Sequence, residues 1–320
     1  MNFAFVLDPL DSLHTYKDST FAMMREAVRR GHRVYAMQQA DIALVAGEVV
    51  ARATELELTG KVVEGSGWYR ALGTADRPLQ EFDAVMMRKD PPFDMEYVYS
   101  TYLLEHAERR GARVFNSPRA IRDHNEKFSI AEFAEYTVPY LVSRDSQRLH
   151  EFVAAQGECV LKPLDGMGGV SIYRVSPDER NLNVIIEDLS HRGRATVMAQ
   201  RFIAEIDQGD KRILVIGGKV VPHSLARIPK KGETRGNLAA GGTGIARPLS
   251  ARDWEIANAM APVLAKRGLL LVGLDVIGDY LTEINVTSPT GIQEISQQSG
   301  FDVAGMVLDA LELAASRKPA

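Results

Sequence analysis

The sequence carries LVGLDVI at residues 271–277 and YLTEINV at residues 280–286, two apolar runs on either side of Gly278-Asp279. This arrangement predicts two antiparallel strands joined by a short turn. Glu283 and Asn285 are two positions apart, so their side chains leave the same face of the second strand. Hard oxygen ligands with this spacing suit Mg²⁺, which takes one or two carboxylates and completes its octahedron with water and phosphate oxygens.

Asp275 in the first strand is the third candidate ligand. A three-residue turn, Gly278-Asp279-Tyr280, would place Asp275 opposite Glu283, whereas a two-residue turn would place it opposite Thr282 on the other face. The alternative to a metal site is a sheet whose polar face meets solvent. We favour the metal site because a carboxylate and a carboxamide interrupt strongly apolar strands.

A second informative segment is VLKPLDGMGGV at residues 160–170. It places Lys162 at the end of an apolar strand, followed by three glycines and a further predicted strand. Glycines allow backbone N–H groups to approach an anion, and a nearby lysine adds a mobile positive charge. The segment therefore predicts a flap over phosphate groups, the alternative being a glycine-rich hairpin with a solvated lysine.

The third segment is KKGETRGNLAAGGTG at residues 230–244, in which five of fifteen residues are glycine. Arg227 and Arg235 supply positive charge on this segment and its flank. Long glycine-rich loops of this kind are either active-site lids or unstructured surface loops. With the flap and the carboxylate strands, the segment predicts a lid over a nucleotide triphosphate held between two β-sheets.

Composition narrows the classes of protein to consider. The chain has 320 residues and a formal charge of −4, and 45% of its residues are hydrophobic, as expected for two or three globular domains and not for a disordered chain. The apolar runs are much shorter than the roughly 18 residues of a membrane span. The N-terminus has no basic residue before Lys17, which argues against a secretory signal. We therefore expect a cytoplasmic protein that binds neither membranes nor nucleic acid.

Several common catalytic motifs are missing from the sequence. It contains no HExxH, GxSxG or GxxxxGK[ST] motif, and no GxGxxG follows a predicted strand. The only cysteine, Cys159, lies in an apolar strand and is interpreted as a packing residue. These absences disfavour zinc proteases, α/β-hydrolases, P-loop enzymes and dinucleotide-dependent dehydrogenases.

The order of predicted elements divides the chain into parts. Strands and helices alternate in the first third, as in a parallel sheet, while later strands are closely spaced and joined by glycine turns. The predicted fold is α/β and α+β, with an N-terminal parallel-sheet domain. The carboxyl end of the first strand, with Asp8-Pro9 and Lys17-Asp18-Ser19, is a candidate substrate contact.

Taken together, these segments resemble the ATP-grasp ligases and, within them, the prokaryotic glutathione synthetases. The motifs RKDPPFD (88–94) and GETRGNLAAGG (232–242) separate this family from other ATP-grasp enzymes. Further similar segments are Leu161–Gly169, Asp210–Arg212, Ala226–Pro229 and Thr282–Pro289. The resemblance implies a two-part ATP-grasp fold after the N-terminal domain, with domains at residues 1–122, 123–200 and 201–320, and it implies a homotetramer.

The resemblance also implies roles for individual residues. Arg88 would bind substrate, and Thr243 departs from the family pattern, since some members have an arginine there. The residues expected to bind ATP are Lys127, Lys162, Gly168, Gly169, Gln200, Arg201, Phe202, Ile203 and Asp210. Those expected near the transferred phosphate or in the lid are Arg212, Arg227, Arg235 and Gly242. The expected metal ligands are Asp275, Glu283 and Asn285.

The activity implied is ligation of glycine to γ-glutamylcysteine, with ATP and Mg²⁺ required and Mn²⁺ as an alternative metal. Two other functions stay open from the sequence. One is an ATP-grasp peptide ligase that adds a different amino acid. The other is a regulatory protein that binds the nucleotide without ligation, which the apparently complete set of charged residues argues against.

Overall fold

The computed structural model describes residues 1–60, 65–230, 232–233, 235–236 and 241–316. Their strands form three sheets, which follow one another along the chain. The helices are α1 (Ser19–Arg29), α2 (Met95–Arg109), α3 (Pro118–Asp123), α4 (Ser146–Gln156), α5 (Leu182–Leu189), α6 (Ala251–Lys266), α7 (Ile292–Ser299) and α8 (Val303–Ser316). None of these helices is long and apolar enough to cross a membrane.

The first sheet has the order β3-β4-β2-β1-β6-β7, with β5 paired to β4. Its strands are β1 (Asn2–Val6), β2 (Arg33–Met37), β3 (Ile42–Val45), β4 (Glu48–Leu58), β5 (Tyr69–Pro78), β6 (Ala84–Met87) and β7 (Val114–Phe115). The predicted parallel sheet is confirmed for β2, β1, β6 and β7. The antiparallel extension β3–β5 was not predicted; β5 is exposed along most of its length, whereas β4 alternates between buried and more exposed residues.

The second sheet is antiparallel, in the order β10-β9-β11-β8. Its strands are β8 (Tyr140–Ser143), β9 (Cys159–Pro163), β10 (Tyr173–Val175) and β11 (Val197–Arg201). Cys159 is fully buried in the core of this sheet, as expected for a packing residue. The strand predicted from Val170 begins only at Tyr173, because Gly168, Gly169 and Ser171 have positive φ angles that no strand accepts.

The third sheet is also antiparallel, in the order β14-β13-β12-β15-β16. Its strands are β12 (Asp210–Ile216), β13 (Lys219–Ile228), β14 (Thr243–Pro248), β15 (Leu271–Ile277) and β16 (Tyr280–Asn285). Thr243 and Gly244 pair with Ile228 and Arg227, so the last two residues of the predicted lid are part of β14 instead. Lys231, Thr234 and 237–240 of that lid lie outside the described residues.

The turn between β15 and β16 corrects one prediction. It has two residues, Gly278-Asp279, since Ile277 pairs with Tyr280. Asp275 nevertheless lies opposite Glu283, because the register shifts by one residue between Asp275 and Val276. A β-bulge at Thr282 therefore does what a three-residue turn was expected to do, and both carboxylates leave the same face of the sheet.

The C-terminal helices connect the third sheet to the first. Val303 and Val307 of α8 share a hydrophobic core with Phe3 of β1 and Leu214 of β12. Arg30, after α1, forms ion pairs with acidic residues of α8 at 2.7 and 3.0 Å. This packing joins the first sheet to the third. The N-terminal sheet therefore forms one wall of a cleft, and the later sheets form its other walls. The domain boundaries 1–122, 123–200 and 201–320 stay a prediction.

Asn116 provides a test of how the first sheet is attached to the third. Its amide nitrogen donates to the carbonyl oxygens of Leu271 and Val286, both at 2.8 Å, and its oxygen accepts from Leu271 N at 2.8 Å. We expect Asn116→Ala to lower the free energy of unfolding by about 3 kcal/mol, because it leaves buried backbone groups without partners. Urea unfolding would measure this. The exposed Asn183→Ala is the control, and equal stability of the two variants would contradict the prediction.

Candidate active site

The cleft between the sheets contains two adjoining cavities. The larger cavity, of about 330 Å³, lies between the first and third sheets, and the smaller cavity, of about 110 Å³, lies between the second and third. Gly166, Met167, Gly168 and Glu283 line both cavities. The flap predicted from the glycines thus stands, with Glu283, at the junction between two binding spaces.

Charged side chains cross the third sheet in a row beside this junction. Asp210 pairs in register with Arg227, Arg212 with Asp275, and Asp275 with Glu283. These side chains therefore run across strands β13, β12, β15 and β16, and opposite charges face each other except between β15 and β16, where Asp275 faces Glu283. Successive side chains of a strand point to opposite faces of the sheet, which explains the row. Neighbouring apolar residues such as Leu274 point to the other face and enter the core.

Asp275 is the centre of the row. Nε and Nη2 of Arg212 donate to its two carboxylate oxygens at 2.5 and 2.9 Å, and Nη2 of Arg227 lies 2.8 Å from Oδ2. Burial by itself would raise the pKa of Asp275, but the two guanidinium groups outweigh it and lower the pKa. Asp275 is therefore an anion at neutral pH, as a metal ligand must be.

Glu283 lies against the two predicted ATP lysines. Its Oε1 is 3.3 Å from Nζ of Lys162 and 3.8 Å from Nζ of Lys127, and both lysines are buried. Burial opposes its ionisation, but these ammonium groups lower the pKa of Glu283. Burial in turn lowers the pKa of Lys162, although Glu283 opposes this effect. The structure thus brings together three residues predicted from separate segments.

The third candidate metal ligand, Asn285, faces Gly273 across the strand pair. Its Nδ2 donates to the carbonyl oxygen of Gly273 at 3.3 Å, which orients the amide. A Cβ at position 273 would lie 2.7 Å from Cδ of Arg212, so glycine is needed for that side chain to cross β15. Among the described residues, no cluster of three His, Cys, Asp or Glu side chains could hold a metal. The two carboxylates and the amide of Asn285 are a mixed oxygen set that fits Mg²⁺.

The smaller cavity combines apolar walls with unsatisfied polar atoms. Nε2 of Gln200 and Oδ1 of Asp210 are buried without a hydrogen-bond partner in the described part of the chain. Burial raises the pKa of Asp210 even though Arg227 contacts its other oxygen. Residues 200–203 all line this cavity, as do the predicted flap residues Gly168 and Gly169. A ligand with an apolar ring and polar edges would satisfy both orphaned atoms.

Flap and lid meet above the junction. Nζ of Lys127 donates to the carbonyl oxygen of Gly166 at 2.6 Å, and Nη1 of Arg235 donates to that of Gly169 at 3.2 Å. Gly242 lies at the base of the lid, where a Cβ would overlap the carbonyl oxygen of Gly236. Arg235 therefore contacts the flap directly, while Gly242 allows the lid segments to approach each other.

Arg88 lines the larger cavity and is only 3% exposed. It donates to the hydroxyl of Thr20 at 3.1 Å and to the carbonyl oxygen of Pro289 at 2.9 Å, and it has no carboxylate partner within 4 Å among the described residues. Burial lowers its pKa, opposed by Asp18 and Asp90. A buried guanidinium bonded only to neutral groups is suited to binding an anion from the cavity.

Glu126 is a residue that sequence reasoning missed. Its Oε1 accepts from Val286 N, Thr287 N and Thr287 Oγ1 at 3.1, 3.2 and 2.7 Å, and its backbone oxygen accepts from Ile284 N at 2.8 Å. It thus holds the end of β16 on both sides of Asn285. The sequence offers only its position directly before Lys127 as a signal. That position does not distinguish it from other glutamates.

With this geometry established, comparison with known proteins identifies the family. Residues 1–122 match the N-terminal domain of prokaryotic glutathione synthetase, and residues 126–300 match its ATP-grasp domain. The chain belongs to the prokaryotic glutathione synthetase family. The glutathione synthetase of Ralstonia nicotianae is 62% identical over 317 residues, which cover 99% of this chain and 97% of the relative. That of Nitrosomonas europaea is 58% identical over 318 residues, 99% of each chain.

Solved structures support the fold independently. The ATP-grasp ligase PsnB, in a complex with minimal precursor, Mg and ADP, has a TM-score of 0.61 and 20% identity, covering 98% of both chains. D-cycloserine synthetase DcsG has a TM-score of 0.65 and 16% identity, covering 97% of this chain and all of that one. The predicted fold, family and class, an ATP-dependent ligase of glutathione biosynthesis, are confirmed. The roles of individual site residues stay predictions.

We expect Glu126→Ala to weaken Mg²⁺-dependent nucleotide binding by about 10- to 100-fold, because residues that orient metal ligands typically contribute that much. Glu126→Gln keeps an oxygen acceptor and should retain most of the affinity. Calorimetric titration of a non-hydrolysable ATP analogue at several Mg²⁺ concentrations would measure the change. Glu135→Ala, an exposed residue of the same segment, is the matched control. Equal affinity in all variants would argue against a positioning role.

Proposed function

We propose that the protein joins glycine to γ-glutamylcysteine and converts ATP to ADP and phosphate, giving glutathione. The observation that carries this proposal is the junction of the two cavities at Glu283 and the glycine flap. A nucleotide in the smaller cavity and a dipeptide in the larger one would present their reacting groups to each other at this point. Family membership supports the choice of substrates.

The smaller cavity would hold ATP. Its adenine would lie along residues 200–203, with Gln200 Nε2 hydrogen-bonded to the ring and Asp210 Oδ1 to the ribose. Lys127 and Lys162 would then contact the phosphates from the junction, under the flap glycines 168 and 169. Each buried polar atom left without a partner in the protein alone would gain one.

Asp275, Glu283 and Asn285 would hold Mg²⁺ beside the phosphates, with Mn²⁺ as an alternative. When bound, the metal supplies positive charge that neutralises phosphate oxygens. The protein's own contribution is to keep both carboxylates ionised. Arg212 and Arg227 lower the pKa of Asp275, and the two lysines lower that of Glu283.

The ligation itself requires activation of a carboxylate, which is a poor electrophile. A carboxylate oxygen of the cysteine residue attacks the γ-phosphorus of ATP, and the bond to the bridging oxygen of ADP breaks, giving an acyl phosphate. The unprotonated amine of glycine then attacks the acyl carbon, and phosphate leaves. Lys127, Lys162, Arg212 and Arg227 are placed to stabilise the negative charge that develops on the transferred group.

The acyl phosphate hydrolyses readily, so water must be kept from the junction. The contact of Arg235 with Gly169 joins lid and flap above this point. Thr243, where some family members have an arginine, is exposed on β14, so the lid contacts proposed here rest on Arg235. The expected homotetramer, the cytoplasmic location and the absence of membrane and nucleic-acid partners remain part of this proposal.

Glu283→Gln tests the metal and lysine contacts together. We expect the rate of ligation to fall by at least about 100-fold, because the variant loses an anionic metal ligand and leaves two buried ammonium groups without their carboxylate. Steady-state kinetics would measure the rate, and thermal unfolding would check that the fold is retained. A rate close to that of the wild type would remove Glu283 from the mechanism.

The reaction is tested by ADP release with Mg-ATP, γ-glutamylcysteine and glycine, omitting each component in turn. Release that requires both substrates, with glutathione as the product, is the expected result. Release with the dipeptide alone would retain the acyl-phosphate chemistry and reopen the identity of the acceptor. Binding of ATP without any release would instead favour a regulatory nucleotide-binding protein.

A further inference from the structure

The larger cavity is lined by a carboxylate without an assigned role. Glu294 stands in the first turn of α7, and it lines this cavity with Lys17, Asp18 and Arg88. Its Oε2 is buried and has no hydrogen-bond partner in the described part of the chain. A buried carboxylate oxygen normally has a partner, so this one is suited to a donor that arrives with a ligand.

The other carboxylates of the larger cavity contact protein groups, Asp90 through Ser288. Oδ1 of Asp18 accepts from Phe21 N at 2.6 Å and caps α1. Asp8 pairs with Lys89 at 2.8 Å and accepts from Asp90 N at 2.9 Å. Glu126 accepts hydrogen bonds from residues 286 and 287, and Glu283 contacts Lys127 and Lys162. Among the acidic side chains that line this cavity, Glu294 is the one with a fully buried oxygen that has no hydrogen-bond partner in the described part of the chain.

Lys17 is a cationic residue that lines the same cavity, but it does not neutralise Glu294 directly. The two residues interact at a distance, but they form no ion pair within 4 Å in the described structure, and the Lys17 ammonium lies 5.5 Å from the ring centre of Tyr16. Burial, the largest influence, raises the pKa of Glu294. A bound ammonium group would offset that cost of burial.

Arg88 supplies the opposite charge along the same wall. It donates to the carbonyl oxygen of Pro289, which stands shortly before α7 in the chain, so the segment 289–294 runs from the guanidinium to the carboxylate. Resting on the proposed function, we infer that Glu294 binds the α-ammonium group of the γ-glutamyl residue while Arg88 binds its α-carboxylate. Together the two residues select an α-amino acid group and leave the cysteine carboxylate to extend toward Glu283, which lines the same cavity.

Binding and kinetics of γ-glutamylcysteine and of an analogue without the ammonium group test this assignment. γ-Glutamylcysteine has the α-ammonium group, and glutaryl-cysteine is the same molecule without it. In Glu294→Gln we expect kcat/KM for γ-glutamylcysteine to fall by about 10- to 100-fold, the range for a hydrogen bond between charged groups. KM for ATP and glycine should stay within twofold, and glutaryl-cysteine should bind both proteins equally weakly.

The controls separate this inference from a structural effect. Glu255→Gln removes an exposed glutamate and should behave as the wild type. Glu294→Asp keeps the charge and should recover part of the preference for the ammonium group. An equal loss for both dipeptides in Glu294→Gln, or no loss for either, would overturn the assignment.

The binding of γ-glutamylcysteine and glutaryl-cysteine can be measured by calorimetry without turnover. Preference of the wild type for γ-glutamylcysteine that disappears in Glu294→Gln would support the ammonium contact even if no ligation were seen. A wild type that binds both dipeptides but does not release ADP would overturn the proposed reaction alone. A wild type that turns over γ-glutamylcysteine but binds glutaryl-cysteine as tightly would overturn the role of Glu294 alone.

Discussion

The ion pairs of Asp275 with Arg212 and Arg227 are the interaction on which the cleft depends. All three residues are at least 94% buried. Separating any one of them would leave an uncompensated charge inside the protein, which is strongly unfavourable. The register of β12, β13 and β15 is therefore constrained at this point, because a shift of one residue would turn a charged side chain toward the core. The fixed register in turn places Glu283 and Asn285 at the junction of the cavities.

Residues at the junction whose placement depends on residue type and spacing could be predicted from the sequence. Glu283 and Asn285 alternate within an apolar strand, and Lys162 ends another strand before a glycine segment, so local pattern was sufficient for them. Asp275 was predicted as a ligand on the condition of a three-residue turn. The structure reaches the same pairing through a bulge at Thr282, which no local turn pattern encodes. Position was thus predictable here, but the backbone geometry that produces it was not.

Other features could not be predicted because their meaning arises only in three dimensions. Glu126 looks like any helix-compatible glutamate until it is seen to accept hydrogen bonds from residues about 160 positions away. Glu294 is distinguished only by a buried oxygen that has no partner among the described residues, and this depends on every element around it. Most of β3 and β5 faces solvent, so burial imposes no hydrophobic alternation on them, whereas β4 keeps the alternation that marks a strand in the sequence.

The charges at the junction also support the proposal that a metal binds at these residues. Lys127, Lys162, Arg212 and Arg227 are four cations, and Asp210, Asp275 and Glu283 are three acidic groups that already contact them. In the protein alone this pairing keeps seven buried titratable side chains close to neutrality. A triphosphate entering the smaller cavity would bring several further negative charges that the paired cations cannot fully compensate. A divalent cation on Asp275, Glu283 and Asn285 would supply the missing positive charge beside these carboxylates.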